Sequence, residues 1–390
     1  MPDLPCAGWI ARTPSKPLSF FRRTCTLNSH DPLAEFKDPG LCRRLLAKIH
    51  AELTAPLRFM EVCGTHTVAI FQSGLRSLLS ADIVHVSGPG CPVCVTHEGE
   101  VAAFLELARK DKVIIATFGD LMRVPGPHGG NLKAVQAEGA RVEVVYSAFD
   151  ALQLAVKHPK DRIVFLGVGF ETTAPTVAAT IKNAAAQNVE NLLLFSMHKL
   201  IPPALAVLLD DSDLNVDSLL LPGHVSTIIG LEPYRFIADK YGVPAVITGF
   251  EPLDILQALQ LIISQIKDRR PKVVNEYTRA VADQGNPRAR EVMSQVFEPC
   301  DALWRGLGRI PQSGLTLHGE YARFDALRFF DVAVENLPPL PGCCCGDVLK
   351  GKMRPNNCPL FGKACIPANP VGPCMVSTEG SCAAYYKYSL

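Results

Sequence analysis

Two short segments of the chain combine thiols with a neighbouring imidazole or proline. The first reads EVCGTHT at 61–67 and the second reads GPGCPVC at 88–94, and each follows an apolar run typical of a strand. A cysteine at the start of a helical pattern lies near unpaired N–H groups and the helix dipole, which favour the thiolate. Cys63 is therefore a candidate reactive thiol. His66, three residues later on the same helix face, is its candidate partner, and a buried cysteine beside a hydrogen-bonded histidine is the alternative.

Cys91 and Cys94 form a C-x-x-C motif with a proline inside it and Gly-Pro-Gly before it. This spacing is compatible with a redox dithiol or with half of a metal site. The motif alone does not decide between them.

A third group of thiols lies at the end of the chain, where seven of the fourteen cysteines fall within 343–390 among many prolines and glycines. A loop-rich lobe with so little apolar content needs disulfides, zinc or an iron–sulfur cluster. The spacings do not match paired zinc knuckles, and seven thiols exceed the four that one tetrahedral zinc needs. We therefore expect a [4Fe–4S] cluster with additional redox thiols, with structural zinc and plain disulfides as the alternatives.

Composition excludes several classes of function. Lys and Arg number 39 against 38 Asp and Glu, so the net charge of +1 gives no electrostatic basis for binding nucleic acid or an anionic membrane. No apolar run is long enough to span a bilayer, and residues 1–35 lack the pattern of a secretory signal. We expect a cytoplasmic protein whose cysteines serve metal and redox chemistry. Cys6, Cys25 and Cys42 have no recognisable partners and are interpreted as incidental.

Hydrophobic periodicity predicts an α/β fold. Continuous apolar strands that alternate with amphipathic helices indicate parallel sheets covered on both faces. We predict two parallel-sheet α/β lobes around a central cleft, followed by a loop-rich, cysteine-rich iron–sulfur lobe. The predicted strands are 82–87, 112–118, 141–146, 162–167, 191–196, 218–221 and 244–248, and the predicted helices are 98–110, 148–157, 176–186 and 226–241.

The same pattern suggests four parts of the chain. Residues 1–35 form an N-terminal extension, and 36–147 form a first α/β domain with Cys63, Cys91 and Cys94. A second α/β domain covers 148–270, where the sheet pattern ends. The part 271–390 is a C-terminal helical and [4Fe–4S] domain, with helix over 277–307, broken at 286–287, and a pair of strands within 315–329.

Polar turns follow several predicted strands, at the carboxyl ends where open α/β sheets bind ligands. They include GFETTAP at 169–175, PGH at 222–224 and GFE at 249–251. We predict a role in the cleft for Glu171, whereas Glu251 is expected to cap a helix. The chain contains no P-loop, and no G-x-G-x-x-G follows a strand, so a nucleotide enzyme is not supported.

Five motifs occur in a characteristic order: FMEVCGTH at 59–66, GPGCPVC at 88–94, GFETTAP at 169–175, LPGHV at 221–225 and CMVSTEGSC at 374–382. Together they resemble the signatures of the HypD family of hydrogenase maturation factors, and the resemblance extends over 36–390. It implies a cytoplasmic scaffold that assembles the Fe(CN)2CO unit of nickel–iron hydrogenases. The implied partners are a HypC-type small chaperone and a HypE-type cyanide donor, supplied by HypF, with the hydrogenase large subunit as the indirect recipient.

The resemblance also implies roles for individual residues. Cys63 matches the cysteine expected to hold the transient iron that carries cyanide and CO, with His66 beside it. A soft thiolate suits such iron, which needs a dry cleft. Cys91 and Cys94 match a redox dithiol. The other site residues predicted within the motifs are Glu171, His224 and Glu379.

The terminal lobe resembles the catalytic arrangement of ferredoxin–thioredoxin reductase. On that analogy Cys345 and Cys374 are an exchangeable redox pair beside a [4Fe–4S] cluster. Exchanging Cys343 with Cys345, or Cys374 with Cys382, satisfies the spacing equally well, and Cys344 adds a third thiol to the run. The cluster ligands assigned by analogy are Cys343, Cys358, Cys365 and Cys382.

These assignments predict a route for electrons from the cluster through Cys345/Cys374 to Cys91/Cys94, and from there to iron at Cys63. Two other functions use the same thiols. One is an iron–sulfur oxidoreductase that reduces a protein disulfide and builds no metal centre. The other is an interaction protein with a zinc-stapled tail.

Overall fold

The computed structural model describes residues 33–127 and 129–388. Most of the predicted N-terminal extension, including Cys6 and Cys25, lies outside the described residues. The strands are β1 Leu57–Glu61, β2 Ile83–Ser87, β3 Val113–Thr117, β4 Arg141–Val144, β5 Arg162–Gly169, β6 Leu192–His198, β7 Ser218–Pro222, β8 Ala245–Thr248, β9 Val273–Asn275, β10 Phe297–Trp304 and β11 Gly308–Leu317.

Helices connect most of these strands. Short 3-10 segments include Gly119–Arg123, Glu232–Tyr234, Gly319–Phe324 and Pro373–Met375. The α-helices are α1 Pro39–Glu52, α2 Gly64–Gln72, α3 Leu75–Leu78, α4 Pro92–Val95, α5 Glu98–Ala108, α6 Leu132–Ala137, α7 Ala148–Lys157, α8 Ala174–Ala186, α9 Ile201–Leu209, α10 Gly223–Ile229, α11 Phe236–Tyr241, α12 Pro252–Asp268, α13 Pro287–Val296, α14 Ala326–Phe330, α15 Cys345–Leu349 and α16 Ser381–Tyr388.

Two parallel sheets form the framework, which confirms the predicted α/β fold. One has the order β2-β1-β7-β8-β9 and the other has the order β4-β3-β5-β6. Every residue of β3, β7 and β8 is buried. Strands buried on both faces are continuous apolar runs, which is why the sequence pattern identified them. Strands β10 and β11 form a separate antiparallel hairpin.

The sheet order brings four strand-end turns to one edge of the five-stranded sheet. Glu61 is in register with both Ser87 and Leu220, and Pro222 is in register with Thr248. The chain therefore leaves β1, β2, β7 and β8 side by side. Residues of the EVCGTHT, GPGCPVC and LPGHV motifs and of the GFE turn follow these four strands, so they meet at the carboxyl edge expected for a ligand site.

The two sheets are not built from consecutive parts of the chain. Strands β1 and β2 share a sheet with β7 to β9, although β3 to β6 come between them in sequence. Residue 147 lies between β4 and β5, which both belong to the four-stranded sheet. The predicted boundary near residue 147 therefore does not coincide with the boundary between the sheets.

One predicted helix is split in two. The sequence pattern suggests a continuous helix over 226–241, but α10 ends at Ile229 and α11 begins at Phe236. Gly230 has a φ of +75° at the break, and a Cβ atom there would lie 2.2 Å from the carbonyl oxygen of Asp283. The positive φ and this close approach require glycine and end the helix.

The prediction for 270–329 is wrong in three places. The sheet continues beyond residue 270, because β9 adds an edge strand to β8. The helix over 277–307 is limited to α13, which Asn286 caps through the N–H of Ala289, and residues from Phe297 onward form β10. The predicted strand pair within 315–329 is mostly helical, because Asp325 accepts hydrogen bonds from the N–H groups at the start of α14. Side-chain capping fixes both helix starts.

The cysteine-rich lobe packs directly on the sheet edge that carries the motifs. Helix α16 contacts α2, and the rings of Tyr385 and Phe71 have their centroids 4.8 Å apart. Four cysteines of the lobe belong to the same buried apolar cluster as residues of both sheets. Among the described residues, none of the helices combines the length and the apolar character needed to cross a membrane.

Candidate functional site

Cys63 lies in the turn between β1 and α2, where it is the N-cap residue of the helix. The buried carboxylate of Glu61 holds this turn by two hydrogen bonds. Its Oε2 accepts the Cys63 N–H at 3.0 Å and its Oε1 accepts the Thr67 hydroxyl at 2.5 Å. Both ends of the turn are thereby held by one side chain, and the thiol has a defined position.

Burial determines the protonation state of the Cys63 thiol. It raises the pKa of Cys63 to about 12, and the carboxylates of Glu379 and Glu61 act in the same direction. The backbone N–H groups of Thr65 and His66 lower the pKa, but by less. The prediction that the helix start favours the thiolate is therefore wrong for this environment. A metal ion that binds here must displace the proton.

His66 is fully buried and its ring is oriented by the backbone of the next strand end. Its Nε2 lies 2.9 Å from the carbonyl oxygen of Gly249 and 3.3 Å from that of Thr248. Carbonyl oxygens only accept, so Nε2 carries the proton. Burial lowers the pKa of His66 to about 4, which keeps the ring neutral at physiological pH. Nδ1 has no hydrogen-bond partner among the described residues, so its lone pair is available to a ligand.

His224 and Glu379 complete the group around Cys63. The rings of His224 and Phe250 stack with centroids 4.2 Å apart, and His66 packs on the same Phe250 at 4.7 Å. Burial lowers the pKa of His224, and the Glu379 carboxylate acts in the opposite direction. Glu379 Oε1 accepts the Thr65 hydroxyl at 2.9 Å. These predicted site residues from three distant motifs therefore surround one turn.

Cys91 and Cys94 form a disulfide in this structure, with their Cα atoms 5.2 Å apart. Both are buried, and Cys91 is the N-cap residue of α4. Gly90 brings the disulfide next to Cys63. Its carbonyl oxygen accepts the Gly64 N–H at 2.9 Å, and a Cβ atom on Gly90 would lie 2.1 Å from the Cys63 nitrogen. The redox dithiol motif and the candidate iron ligand therefore occupy adjoining backbone turns.

The dithiol helix contacts the terminal lobe on its other side. Helix α4 packs against the 3-10 turn Pro373–Met375, which holds the fully buried Cys374. A Cβ atom on Gly380 would lie 2.2 Å from the Cys374 carbonyl oxygen. The backbone directly after Glu379 therefore packs closely against the same turn. Cys374 thus lies between the dithiol and the rest of the lobe.

Six cysteines of the terminal lobe line one narrow cavity, together with apolar side chains that include Leu360, Phe361 and Met375. A Cβ atom on Gly372 would lie 2.4 Å from Sγ of Cys343 and 2.7 Å from Sγ of Cys345, so only glycine leaves room for these sulfurs. The cavity-lining cysteines are Cys343, Cys344, Cys345, Cys358, Cys365 and Cys382.

The sulfur atoms of this lobe interact mainly with one another. Hydrogen bonds with Cys345 and Cys382 raise the pKa of Cys374 well above its usual range, and contacts with Cys345 and Cys374 lower the pKa of Cys382 to about 6. The contact with Cys345, together with burial, also raises the pKa of Cys343. Cys345 is therefore the central thiol of the lobe.

The four cysteines predicted as cluster ligands lie close together. All four cysteines assigned as ligands by analogy line the cavity, whereas Cys374 lies behind it, against Cys345. Burial and a contact with Cys358 raise the pKa of Cys344 to about 11. In the described part of the chain, no three metal-binding side chains converge on the position of a single ion. The choice among the three adjacent cysteines stays a prediction.

Glu171 accepts a hydrogen bond from a residue outside the Cys63 turn. Its Oε1 accepts the Ile201 N–H at the start of α9 at 2.9 Å, while the buried Oε2 has no hydrogen-bond partner in the described structure. Burial raises the pKa of Glu171 to about 7. Tyr234 responds to the charges of both Glu171 and Cys63. Burial raises the pKa of its phenol, and these two charges raise it further.

Sequence reasoning missed several of these residues. Glu61 and Thr65 lie inside a recognised motif, and a carboxylate two residues before a cysteine at a helix start would have been a signal for Glu61. Phe250 and Tyr234 give no such signal, because an aromatic residue in an apolar segment is normally part of the core. From the sequence, Gly90 could be identified only as a turn residue.

Parallel α/β sheets that surround a buried thiol, a disulfide and a cavity of six cysteines define a cysteine-rich α/β protein with parts suited to metal and thiol chemistry. Sequence comparison identifies the family: the chain belongs to the HypD family of hydrogenase maturation factors. The profile of this family, described as "Hydrogenase formation hypA family", matches residues 40–389.

Individual relatives agree with this assignment. The chain is 47% identical to "Hydrogenase maturation factor HypD" of Escherichia coli strain K12, over 91% of this chain and 97% of the relative. It is 43% identical to "Hydrogenase maturation factor HypD2" of Bradyrhizobium diazoefficiens and 42% identical to the HypD of Cupriavidus necator, in both cases over 91% of this chain and 96% of the relative.

Proposed function

We propose that this protein is a cytoplasmic scaffold and redox protein that assembles the Fe(CN)2CO unit of nickel–iron hydrogenase. In this proposal, Cys63 holds the iron and a chain of thiols supplies electrons to it. The observation that carries the proposal is the spatial order of the thiols. Cys63 adjoins the Cys91–Cys94 disulfide through Gly90, the disulfide helix packs on the turn with Cys374, and Cys374 contacts Cys345 at the six-cysteine cavity.

Cys63 suits an iron that carries cyanide and CO. The side chain is buried, and a soft thiolate is an appropriate ligand for such iron. The high pKa of Cys63 means that the iron-free site holds a thiol, whose proton leaves when the metal binds. His66 offers a neutral Nδ1 on the same turn, and its Nε2–H remains fixed by the Gly249 carbonyl.

The thiol chain transfers electrons by disulfide exchange in this proposal. A Cys345 or Cys374 thiolate attacks the Cys91–Cys94 disulfide and forms a mixed disulfide, and the second thiol of the pair then displaces it. The products are a Cys345–Cys374 disulfide and a Cys91/Cys94 dithiol, which has gained two electrons and two protons. The dithiol then lies one residue from the Gly90 contact with Cys63, where its re-oxidation to the disulfide would supply two electrons to the iron and release two protons.

Cys343, Cys358, Cys365 and Cys382 would hold the [4Fe–4S] cluster. When bound, the cluster would supply electrons one at a time to the neighbouring Cys345/Cys374 pair. The apolar side chains of the cavity limit the access of water to the sulfur atoms.

We assign partner docking to the open cavity beside Glu379. It is lined by Thr65, Glu379, Met375 and aromatic residues of α16, so it leads to the turn that carries Cys63. A HypC-type chaperone that contributes a second iron ligand would reach Cys63 from this side. A HypE-type cyanide donor would then act on the joint complex, and the hydrogenase large subunit would receive the product.

A second candidate function is suggested by the Cys91–Cys94 disulfide itself. An iron–sulfur oxidoreductase that reduces a protein disulfide needs the same dithiol and the same cluster. It has no reason to bind cyanide or CO, so spectroscopy separates the two functions.

The test is an infrared spectrum of the anaerobically purified protein after co-expression with the other maturation proteins. We expect bands of iron-bound cyanide and CO that disappear in Cys63→Ala and persist in Cys300→Ala, a matched change at a cysteine on the β10 strand. A featureless spectrum from protein with an intact cluster would support the disulfide oxidoreductase. Loss of the cluster together with the bands in Cys63→Ala would contradict separate iron and cluster sites.

A further inference from the structure

We propose that Arg305 is a positioning residue that joins the dithiol segment to the cysteine-rich lobe and makes the cluster in that lobe easier to reduce. This inference rests on the proposed function, because it requires a cluster in the six-cysteine cavity. It concerns a residue outside every motif that identified the family. Arg305 directly follows the last residue of β10.

On one side, Arg305 holds the segment that follows Cys94. Its backbone N–H donates to the Val95 carbonyl oxygen at 2.9 Å, and its Nε donates to the Thr96 carbonyl oxygen at 3.0 Å. Its Nη1 forms a buried ion pair with Glu98 in the first turn of α5. Three consecutive contacts therefore attach the hairpin turn to the end of the dithiol helix.

On the other side, the same turn touches the cysteine-rich lobe. Gly306 has a φ of +80°, and a Cβ atom there would lie 2.5 Å from Cα of Gly346. Gly346 directly follows Cys345 in α15. The turn that carries Arg305 thus contacts both the segment after the dithiol and the segment after Cys345.

One N–H group of Arg305 is unaccounted for. The side chain is 3% exposed, and its Nη2 has no hydrogen-bond partner among the described residues. Buried guanidinium donors are normally paired, so a missing acceptor at this position needs a physical explanation. A thiolate or sulfide sulfur of a cluster in the neighbouring cavity is an acceptor of the required charge.

The expected consequence follows from charge. Reduction adds one negative charge to the cluster, and a nearby cation or a hydrogen bond to sulfur favours that state. Glu98 is paired with Arg305 and has the opposite effect. Removing the charge of Glu98 alone should raise the reduction potential, whereas removing both charges should lower it again. A residue with a purely structural role would not produce two shifts of opposite sign.

The experiment compares reduction potentials of full-length protein with reconstituted cluster, measured by redox titration monitored by electron paramagnetic resonance. The variants are Glu98→Gln and the double variant Glu98→Gln/Arg305→Gln, because Arg305→Gln alone would leave a buried carboxylate unpaired. Arg305→Lys keeps the charge and should keep a potential near that of the wild type. The matched control is Glu100→Gln, which alters the other buried ion pair of α5, with Lys199, beside the hairpin at Gly314.

We expect the double variant to be about tenfold harder to reduce than Glu98→Gln, which corresponds to about 59 mV for one electron. Equal potentials in these two variants would overturn the role of Arg305, and so would an equally large shift in Glu100→Gln. Failure of the proposed function gives a different result, namely wild-type protein that never shows a cluster signal. The iron and sulfide content of each variant, measured beforehand, separates the two outcomes.

Discussion

The hydroxyl of Thr65 donates a hydrogen bond to Oε1 of Glu379 across 2.9 Å, although the two residues are 314 positions apart in the chain. The backbone is equally close, because a Cβ atom on Gly64 would lie 2.6 Å from the carbonyl oxygen of Glu379. The C-terminal segment therefore closes directly over the turn that carries Cys63. Glu379 brings its negative charge to a buried thiol, with consequences that can be measured.

Glu379→Gln should make Cys63 more reactive in the iron-free protein. The amide oxygen can still accept the Thr65 hydroxyl, but the charge that helps to raise the pKa of Cys63 is gone. Each unit by which the pKa falls increases the thiolate fraction about tenfold at a pH below the pKa. We expect several-fold faster alkylation of Cys63 at pH 8, measured by peptide mass spectrometry. Unchanged labelling of Cys63, with Cys300 as internal reference, would contradict the electrostatic role.

Gly90→Ala should destabilise the protein by about 1–3 kcal/mol, because the added methyl group meets the backbone of Cys63 and no flexible side chain can move away. Gly119→Ala is the matched control, since the nearest atom to its new Cβ is 3.9 Å away. The measurement is urea denaturation of both variants. A similar loss of unfolding free energy in the two would show that the contact at Gly90 is not tight.

Glu171→Gln should change the pH dependence of stability. Burial raises the folded-state pKa of Glu171 from 4.5 to about 7. The protonated carboxyl therefore stabilises the folded state below pH 4.5, and this contribution is lost as the pH rises through 7. Glutamine stays neutral throughout, so the variant should be about 3 kcal/mol more stable than wild type at pH 8 and similar at pH 4.5.

Urea denaturation at the two pH values tests this expectation. The exposed Glu143→Gln on β4 serves as the control and should leave the pH profile unchanged. A Glu171→Gln profile parallel to that of the wild type would show that the carboxylate is not destabilised by burial.

Gly372→Ala should reduce the iron content of anaerobically purified protein. The new methyl group would lie 2.4 Å from Sγ of Cys343 and would occupy part of the six-cysteine cavity. Cys344→Ala removes a cavity-lining thiol that is not an assigned ligand, so it should keep the iron. Iron and sulfide analysis of both variants tests this prediction of their iron content. Loss of iron in Cys344→Ala with retention in Gly372→Ala would reverse the ligand assignment.

Local signals in the sequence predicted much of the fold. Helix α7 was predicted with its observed bounds from its periodicity and composition. In the structure, Ser147 and Asp150 form a capping box at its start. Glu251 caps α12 as expected. Strands buried on both faces were recognised for a similar reason, since their apolar runs do not depend on which strand lies next to them.

Long-range pairing was not predictable in this way. Nothing in the apolar run of β1 indicates that its neighbour is β7, and the domain boundary near residue 147 followed the chain instead of the sheets. The high pKa of Cys63 also depends on burial under distant residues, while the sequence shows only the helix start. The motifs identified candidate site residues, and the fold determines their electrostatic environment.

The sheet order also has a consequence for biosynthesis. Cys63 leaves the ribosome long before β7, which completes the sheet beside its turn, and Glu379 is made later still. Domains that fold during synthesis do so from the N-terminus, but this turn cannot be enclosed until residue 379 has been made. A nascent chain therefore exposes an unprotected thiol to oxidants and stray metal ions. Premature termination even a few codons before residue 379 would leave a chain that cannot enclose the Cys63 turn.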